Sequence, residues 1–440
     1  MNLPQDFLNK IKTMLPHEYD AFLASYEAPR YQGIRLNPLK SGEETLRASV
    51  PCVLRTSPFS PFSFYCAEEK VGGWPAHHAG MFYAQEPSAS SAVTVLAPQE
   101  GDRVLDLCAA PGGKSTQIAA ALNGHGLLWS NEIVPGRAQI LLSNIERMGV
   151  RNAVVSSAHP AVLCENLRGY FDKVLVDAPC SGEGMFKKEP EAIPAWSPKT
   201  VQACAARQLS ILCSAAKAVK EGGILVYSTC TFSREENEDT VLAFLRENRD
   251  FEILPIDVPF GRPAFGIPAL RIFPMDGGEG HFVCKMRRTA GNPCTVGELP
   301  VPERISEMPL IEDFYRETVS VGPTQRPFIR SGKILLLPDQ LPVTRGINIL
   351  RAGVLLGEIR GKRLEPAHAF FMSRSPAECR RSLRFAPESP ELAAYLRGEE
   401  IDAPEKGYTA VCTQNAVTGF GKASGGRLKN KYPKGLRIRK

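Results

Sequence analysis

The chain has 440 residues, of which 43% are apolar and 23% charged, with a net charge of +6; this is ordinary globular composition and excludes a disordered or fibrous protein. No run of about 18 apolar residues is present, which excludes a transmembrane helix and a membrane partner, and Asp6, Lys10 and Lys12 interrupt the first 15 residues, so no signal peptide is expected. Twelve cysteines with no Cys-x-x-Cys spacing are expected as free thiols in a reducing cytoplasm, with no metal centre.

Residues 2–24 read as a helix, and 51–64, rich in proline and serine, as a loop. From 101 to 287 the pattern alternates strand and helix, which predicts a parallel α/β sheet. Expected strands are 103–107, 126–130, 153–156, 173–176 and 224–227. Most are short, β-branched and nearly all apolar, as strands covered on both faces should be. A strand at 281–286, after the turn-rich 276–280, is expected as a hairpin at the sheet edge. One helix is bounded by Ser197 as N-cap and Pro198 at its first position; Val201, Ala205, Leu209, Leu212, Ala216 and Val219 repeat at helical spacing, and Gly222 and Gly223 end it. Cys213 beside that stripe is expected as packing. Residues 289–304, with Gly291, Pro293, Gly297, Pro300 and Pro302, read as a linker, and strands are expected at 333–337 and 354–359. A second joint is expected at 373–390. From Lys422 to Lys440 there are eight Lys or Arg and no acid; without them 45 basic residues face 47 acidic ones. The basicity is therefore local, in what reads as a terminal tail able to meet nucleic acid phosphates.

The first strand runs into Asp106, Leu107, Cys108, Ala109, Ala110, Pro111, Gly112, Gly113, Lys114 and Ser115. A strand, tight turn and helix N-terminus let the backbone approach a ligand closely. Lys114-Ser115 suggests a phosphate loop, but Cys108 stands where that motif needs glycine, so a triphosphate site is not expected. The second strand is expected to end at Glu132, placed to bond ribose hydroxyls of a dinucleotide or nucleoside cofactor. The fourth strand delivers Asp177, Ala178, Pro179, Cys180, Ser181, Gly182, Glu183 and Gly184, and the fifth Tyr227, Ser228, Thr229, Cys230, Thr231 and Phe232. Open parallel sheets bind ligands at the carboxyl ends of their strands, so Cys180 and Cys230 should face one crevice, either for thiolate chemistry or as inert packing.

These three stretches resemble the motifs of the Sun/Fmu-type RNA cytosine-5 methyltransferases. Arg137, Leu141, Asn144, Arg147, Gly149 and Asn152 follow the same pattern, as do Tyr83, Ala84, Gln85, Glu86, Pro87 and Ser88. The C-terminal stretch from Gly419-Phe420-Gly421-Lys422 to Leu436-Arg437 resembles that of members acting on bacterial small-subunit ribosomal RNA. The resemblance implies a Rossmann-like class I S-adenosylmethionine methyltransferase core at 91–288. Around it come an N-terminal RNA-recognition segment at 1–90, the linker, a small β-containing domain at 305–372 and a PUA-like RNA-binding module at 373–440.

It also implies that Cys108, Ala109, Ala110, Pro111, Gly112, Gly113, Lys114, Glu132 and Asp177 contact S-adenosylmethionine. Cys230 is the implied nucleophile, Cys180 assists product release, and Asp177 meets the cytosine's N3/N4 edge. Arg35 and Asn37 match a segment near the RNA. One departure is visible: where the family often has an acid near the adenine, this chain has Ser156-Ser157-Ala158-His159-Pro160, so His159 either takes that contact or is an exposed loop histidine. The expected partner is RNA, foremost 16S ribosomal RNA or the small subunit, rather than DNA, with the protein a monomer. The same chemistry on transfer RNA, or an RNA-binding assembly factor, stands as an alternative.

Overall fold

The computed structural model describes residues 1–291, 293–300, 305–322 and 324–438; Pro302 of the expected linker and Arg439 and Lys440 of the basic stretch lie outside the described residues. Its centre is a ten-stranded sheet. Five parallel strands form the middle: β1 (Arg103–Asp106), β2 (Leu127–Asn131), β3 (Ala153–Ser157), β4 (Phe171–Asp177) and β5 (Val219–Thr229), in the order β3-β2-β1-β4-β5. The order reverses between β1 and β4, and a crevice opens there above the strand ends. β6 (Leu270–Ile272) and β7 (His281–Arg288) add antiparallel strands beyond β5. The helices include α1 (Gly113–Leu122), α2 (Pro135–Arg147), α3 (Pro160–Asn166) and α4 (Pro198–Ala218). The central strands are apolar because both faces are covered: Leu105, Trp129, Val174, Leu225 and Tyr227 lie in one buried cluster, and Val104, Leu128, Leu175 and Val226 in another.

Several expectations need correction. The N-terminal helix is two, Gln5–Met14 and Tyr19–Glu27, because Pro16 drives Leu15 out of helical geometry (φ −127°, ψ 60°). Residues 51–64 are not wholly loop: Arg55–Thr56 and Ser63–Tyr65 pair as strands, with Phe64 fully buried. α4 stops at Ala218 rather than at the glycines; Val219 already pairs with Phe171, and Gly222, at φ +73°, bends the strand that follows. The stripe α4 buries also runs one residue aside, through Cys204 and Gln208. β7 is not an edge strand, since β5 lies on one side and β6 and Phe251–Leu254 on the other.

The N-terminal helices pack against the crevice. Phe7 meets Phe186 and Trp196 edge-on, with ring centroids 5.3 and 5.8 Å apart, and Phe22 meets Phe232 at 5.4 Å. A four-stranded sheet follows, built from Gly33–Leu36, Arg55–Thr56, Ser63–Tyr65 and Phe82–Ala84. At the C-terminal end a four-stranded and a five-stranded sheet share one buried cluster that includes Phe314, Leu356, Phe370, Phe371, Cys412 and Phe420. Strand β8 (Asn348–Ala352) leaves these sheets and pairs antiparallel with β3 of the core. The stretch from Lys422 is no free tail: Ala416–Ser424 and Arg427–Asn430 are strands of the last sheet. No helix among the described residues is long and apolar enough to cross a membrane.

Candidate functional site

The crevice is built from three loops. The first joins β1 to α1. Gly112 adopts φ +112°, a left-handed geometry that suits glycine, and a Cβ there would press on Leu141 of α2. The loop is pinned from outside, since Arg137 and Asn144 on α2 donate to the carbonyls of Ala110 and Pro111 (3.0 and 2.9 Å). Ala109 and Ala110 are buried and Cys108 is half-buried; burial pushes the Cys108 thiol well above its ordinary range. Glu132 follows the last residue of β2, almost fully buried, accepting from the Val134 N–H at 3.0 Å and facing Arg137 at 3.4 Å. Asp106 is fully buried. Its Oδ2 accepts from Ser115 at 2.7 Å, while its Oδ1 has no partner, and burial raises its pKa to about 7.

The second and third loops bring the thiols together. Cys180 Sγ and Cys230 Sγ lie 3.2 Å apart, within hydrogen-bonding range and unbonded. The contact to Cys230, then burial, pushes Cys180 well above its ordinary thiol range. Beside them Asp177 accepts from Lys114 at 2.7 Å and from Ser228 at 2.6 Å. Burial opposes the Lys114 charge, yet Asp177, and after it Cys230, push that pKa up. The crevice thus holds a cation bonded to a carboxylate and, in a separate contact, two sulfurs, with Cys230 near enough to act on the Lys114 charge.

Residues that sequence reasoning quoted or passed over hold this arrangement. Glu183, 1% exposed, accepts from the backbone of Phe232 and Ser233 (both 2.8 Å), from Thr231 and Ser233 hydroxyls (2.7 and 2.6 Å) and from the Trp196 indole at 2.9 Å. It therefore clamps the Cys230 loop to the Cys180 loop. Glu236, fully buried, accepts from the Ser181 N–H at 2.9 Å and hydroxyl, and from Gln208 of α4 at 2.8 Å. Asn237 accepts from Thr229 and donates to the Thr231 carbonyl. The signal available was Glu183 inside the quoted motif and the Glu235-Glu236-Asn237 run just after the Cys230 loop.

Other expected residues lie elsewhere. Arg35 and Asn37 are each 1% exposed. Arg35 donates to the Gly113 carbonyl, to Gln85 and to Thr116, and Asn37 to the carbonyls of Gly80 and Met148. They brace the N-terminal sheet against α1 and α2, with their polar groups turned inside the fold. His159 is exposed, and its Nδ1 accepts from the Ala161 N–H at the start of α3, so it is a helix cap. Cys213 is half-buried, 3.3 Å from Glu247. Among the described residues no His, Cys, Asp and Glu group has metal-binding geometry.

Four family models match in register along the chain. Residues 93–287 match 16S rRNA methyltransferase RsmB/F, and 3–87 the N-terminal domain of 16S rRNA methyltransferase RsmF. Residues 313–373 match the RsmF rRNA methyltransferase first C-terminal domain, and 382–438 the methyltransferase RsmF PUA domain. The chain is 32% identical to ribosomal RNA small subunit methyltransferase F of Enterobacter sp. (strain 638), covering 98% of this chain and 95% of the relative. It is 33% identical to the protein of the same name from Shigella dysenteriae serotype 1 (strain Sd197), covering 98% and 96%. The crystal structure of a methyltransferase homolog protein from Pyrococcus horikoshii matches with a TM-score of 0.55 at 28% identity, over 62% of this chain and 91% of that one. NSun6 from the same organism matches with a TM-score of 0.60 at 22% identity, over 66% and 99%, a likeness of fold.

Proposed function

The chain belongs to the RsmB/F family of 16S rRNA methyltransferases, with the domains that distinguish RsmF, and from that footing we propose that it methylates C5 of a cytosine in 16S ribosomal RNA through a covalent bond between Cys230 and the base. The observation that carries this reading is the 3.2 Å contact of Cys180 and Cys230 beside the Lys114–Asp177 pair. S-adenosylmethionine is the cofactor, and when bound it supplies an electrophilic methyl group. The crevice fits it: a loop with little side-chain bulk at a helix N-terminus, the unpartnered Asp106 Oδ1 and the buried Glu132 carboxylate at the next strand end. In this reading Cys108 to Lys114 line the cofactor, Glu132 holds its ribose hydroxyls, and Asp177 stands between cofactor and base.

Cytosine C5 is too weak a nucleophile to accept a methyl cation equivalent directly. Addition of the Cys230 thiolate to C6 forms an S–C6 bond and moves the C5=C6 electron pair onto C5. Lys114 and Asp177 face the polar edge of the ring, where negative charge develops as that bond forms. C5 would then take the methyl group that the bound cofactor supplies, the C5 pair forming the new C–C bond while the methyl–sulfur pair stays on the cofactor's sulfur, leaving it a neutral thioether. A base next removes the C5 proton; its electron pair restores C5=C6, the S–C6 bond breaks, and Cys230 leaves as thiolate. The Cys180 thiol, 3.2 Å from Cys230, would donate to the departing sulfur and so assist release. The ring must leave its stack to reach the thiols, so an unpaired or opened stretch of RNA is the substrate. Residues 1–90 and 373–440 serve as the RNA-recognition parts, and the protein acts on RNA as a cytoplasmic monomer. The test is mass spectrometry of nucleosides from 16S ribosomal RNA incubated with the protein and S-adenosylmethionine. 5-Methylcytidine is the expected product, and a different methylated nucleoside would refute the C5 assignment.

A further inference from the structure

β7 enters the crevice at its first residue. It runs antiparallel to β5 with Val283 opposite Ser228 and Phe282 opposite Thr229. Side chains on a strand alternate between faces, so His281, two residues before Val283, stands on the face that carries Ser228. Asp177, opposite Ser228 across the β4–β5 pair, shares that face. Ser228 and Asp177 therefore stand side by side at the strand ends, with His281 one step further along the same face and Lys114 reaching Asp177.

The imidazole is held from behind. His281 is 5% exposed, and its Nδ1 lies 2.9 Å from Ser88 Oγ. Ser88 Oγ in turn donates to Glu86 Oε2 at 2.6 Å. Glu86 also accepts from the N–H groups of Ser88, Ala89 and Glu279 (2.9, 3.0 and 3.3 Å), an acceptor's surroundings. Burial raises the Glu86 pKa to about 7 against these hydrogen bonds; with Glu86 ionised and accepting the Ser88 proton, Ser88 Oγ is left to accept, so Nδ1 carries the imidazole proton and Nε2 holds a lone pair. Burial, and after it the Lys114 charge, lowers the His281 pKa to about 3, which keeps the ring neutral. No protein group bonds Nε2 among the described residues. A proton acceptor in catalysis near pH 7 needs a far higher pKa; a fixed, neutral hydrogen-bond acceptor does not.

Resting on the cytosine reading above, we infer that His281 is a specificity residue for the target base, its Nε2 accepting one N–H of the cytosine exocyclic amine while Asp177 accepts the other. An amine offers two donors to these two acceptors. The 4-carbonyl of uracil offers none and would set its lone pairs against both, so the two acceptors reject uridine by leaving buried polar groups unpaired. The Glu86–Ser88 chain makes the discrimination dependable by fixing the tautomer.

The experiment uses the full chain, S-adenosylmethionine and 16S ribosomal RNA transcribed in vitro, with kcat and KM from 5-methylcytidine formation and cofactor binding from calorimetry. His281→Phe keeps the ring and removes both nitrogens; kcat/KM should fall about 10-fold or more with the cofactor dissociation constant unchanged. His281→Gln places an amide oxygen near the Nε2 position and should restore activity to within about 3-fold of the unaltered protein. His281→Asn, whose amide ends near the Nδ1 position, keeps the Ser88 bond and leaves the Nε2 position empty. It should lose as much as His281→Phe, and it carries the test should that variant not fold. Full activity of His281→Asn, or equal losses in His281→Asn and His281→Gln with weakened cofactor binding, would overturn the assignment. Absence of 5-methylcytidine from the unaltered protein would overturn the cytosine reading and this inference with it.

Discussion

Lys114 and Asp177 pair at 2.7 Å, and Cys180 and Cys230 lie 3.2 Å apart, whereas Glu132 follows the end of β2. Its carboxylate is buried beside Arg137, which also grips the Ala110 carbonyl. If it holds the cofactor ribose, Glu132→Ala should raise the S-adenosylmethionine dissociation constant about 10-fold, the loss of charge-assisted hydrogen bonds worth roughly 1.5 kcal/mol; an unchanged constant by calorimetry removes it from the site. Arg35 gives the opposite kind of expectation. It is buried on the Gly113 carbonyl and Thr116, so Arg35→Ala should lower the melting temperature and weaken cofactor binding through α1. The salt dependence of RNA binding should stay as it was, because no phosphate contact is lost. A flatter salt slope with an unchanged melting temperature would return Arg35 to the RNA surface.

The loops after β4 and β5 are held by buried carboxylates, and Glu183 alone accepts five hydrogen bonds from four residues. Glu183→Ala leaves those donors unpaired in a dry site. It should cost about 3 kcal/mol in urea unfolding and lower kcat at least 100-fold by letting the two thiols drift apart. Stability and rate both within error of the unaltered protein would show that the aromatic packing of Phe22 and Phe232 suffices. Two of the three strand ends at the crevice were legible because each follows a run of apolar residues and precedes glycine or proline: Asp106 before Gly112, Asp177 before Gly182. Glu183, Glu236 and Gln208 were not, since a buried carboxylate that accepts backbone N–H groups looks in sequence like any surface acid. The bracing role of Arg35 was hidden for the same reason, since a guanidinium satisfied within the fold by Gly113, Gln85 and Thr116 looks in sequence like any other arginine. The join between β3 and β8 was beyond reach, for pairing across about 190 residues leaves no local pattern.

At the scale of the whole chain, the C-terminal sheets are fastened to the rest by polar contacts. Arg151 bonds Glu378 at 2.6 Å and the Ser373 carbonyl at 2.7 Å; Lys40 donates to the carbonyls of Met372 and Val417; His78 meets the Tyr432 hydroxyl at 2.7 Å. Burial would raise the Glu378 pKa, but Arg151 outweighs it and holds the carboxyl down to about 2 from 4.5. A depressed carboxylate stabilises the fold fully above pH 4.5 and loses that contribution as pH falls through 2. Glu378→Gln should therefore be less stable than the unaltered protein at pH 7, by about 1 kcal/mol after solvent screening. The gap should close toward pH 2 in thermal unfolding; a gap independent of pH would contradict the ion pair's role. The basic stretch belongs to the folded module, where Lys422, Lys429 and Lys434 are exposed. Changing all three to Gln should flatten the salt dependence of RNA binding by roughly two to three phosphate contacts and leave the fold intact, whereas an unchanged slope would place the RNA elsewhere.

The covalent mechanism is the centre of this account, and denaturing electrophoresis tests it most directly. Each cysteine variant is incubated with 16S ribosomal RNA and S-adenosylmethionine, and protein–RNA adducts are separated in denaturant. Cys230→Ala should form no adduct and no methylated product. Cys180→Ala should attack and methylate but release the product slowly, so a slow-migrating adduct accumulates, and Cys180→Ala combined with Cys230→Ala should abolish it. An adduct formed by Cys230→Ala in place of Cys180→Ala would reverse the roles of the two thiols. Methylation undiminished in both single variants would contradict the covalent mechanism itself.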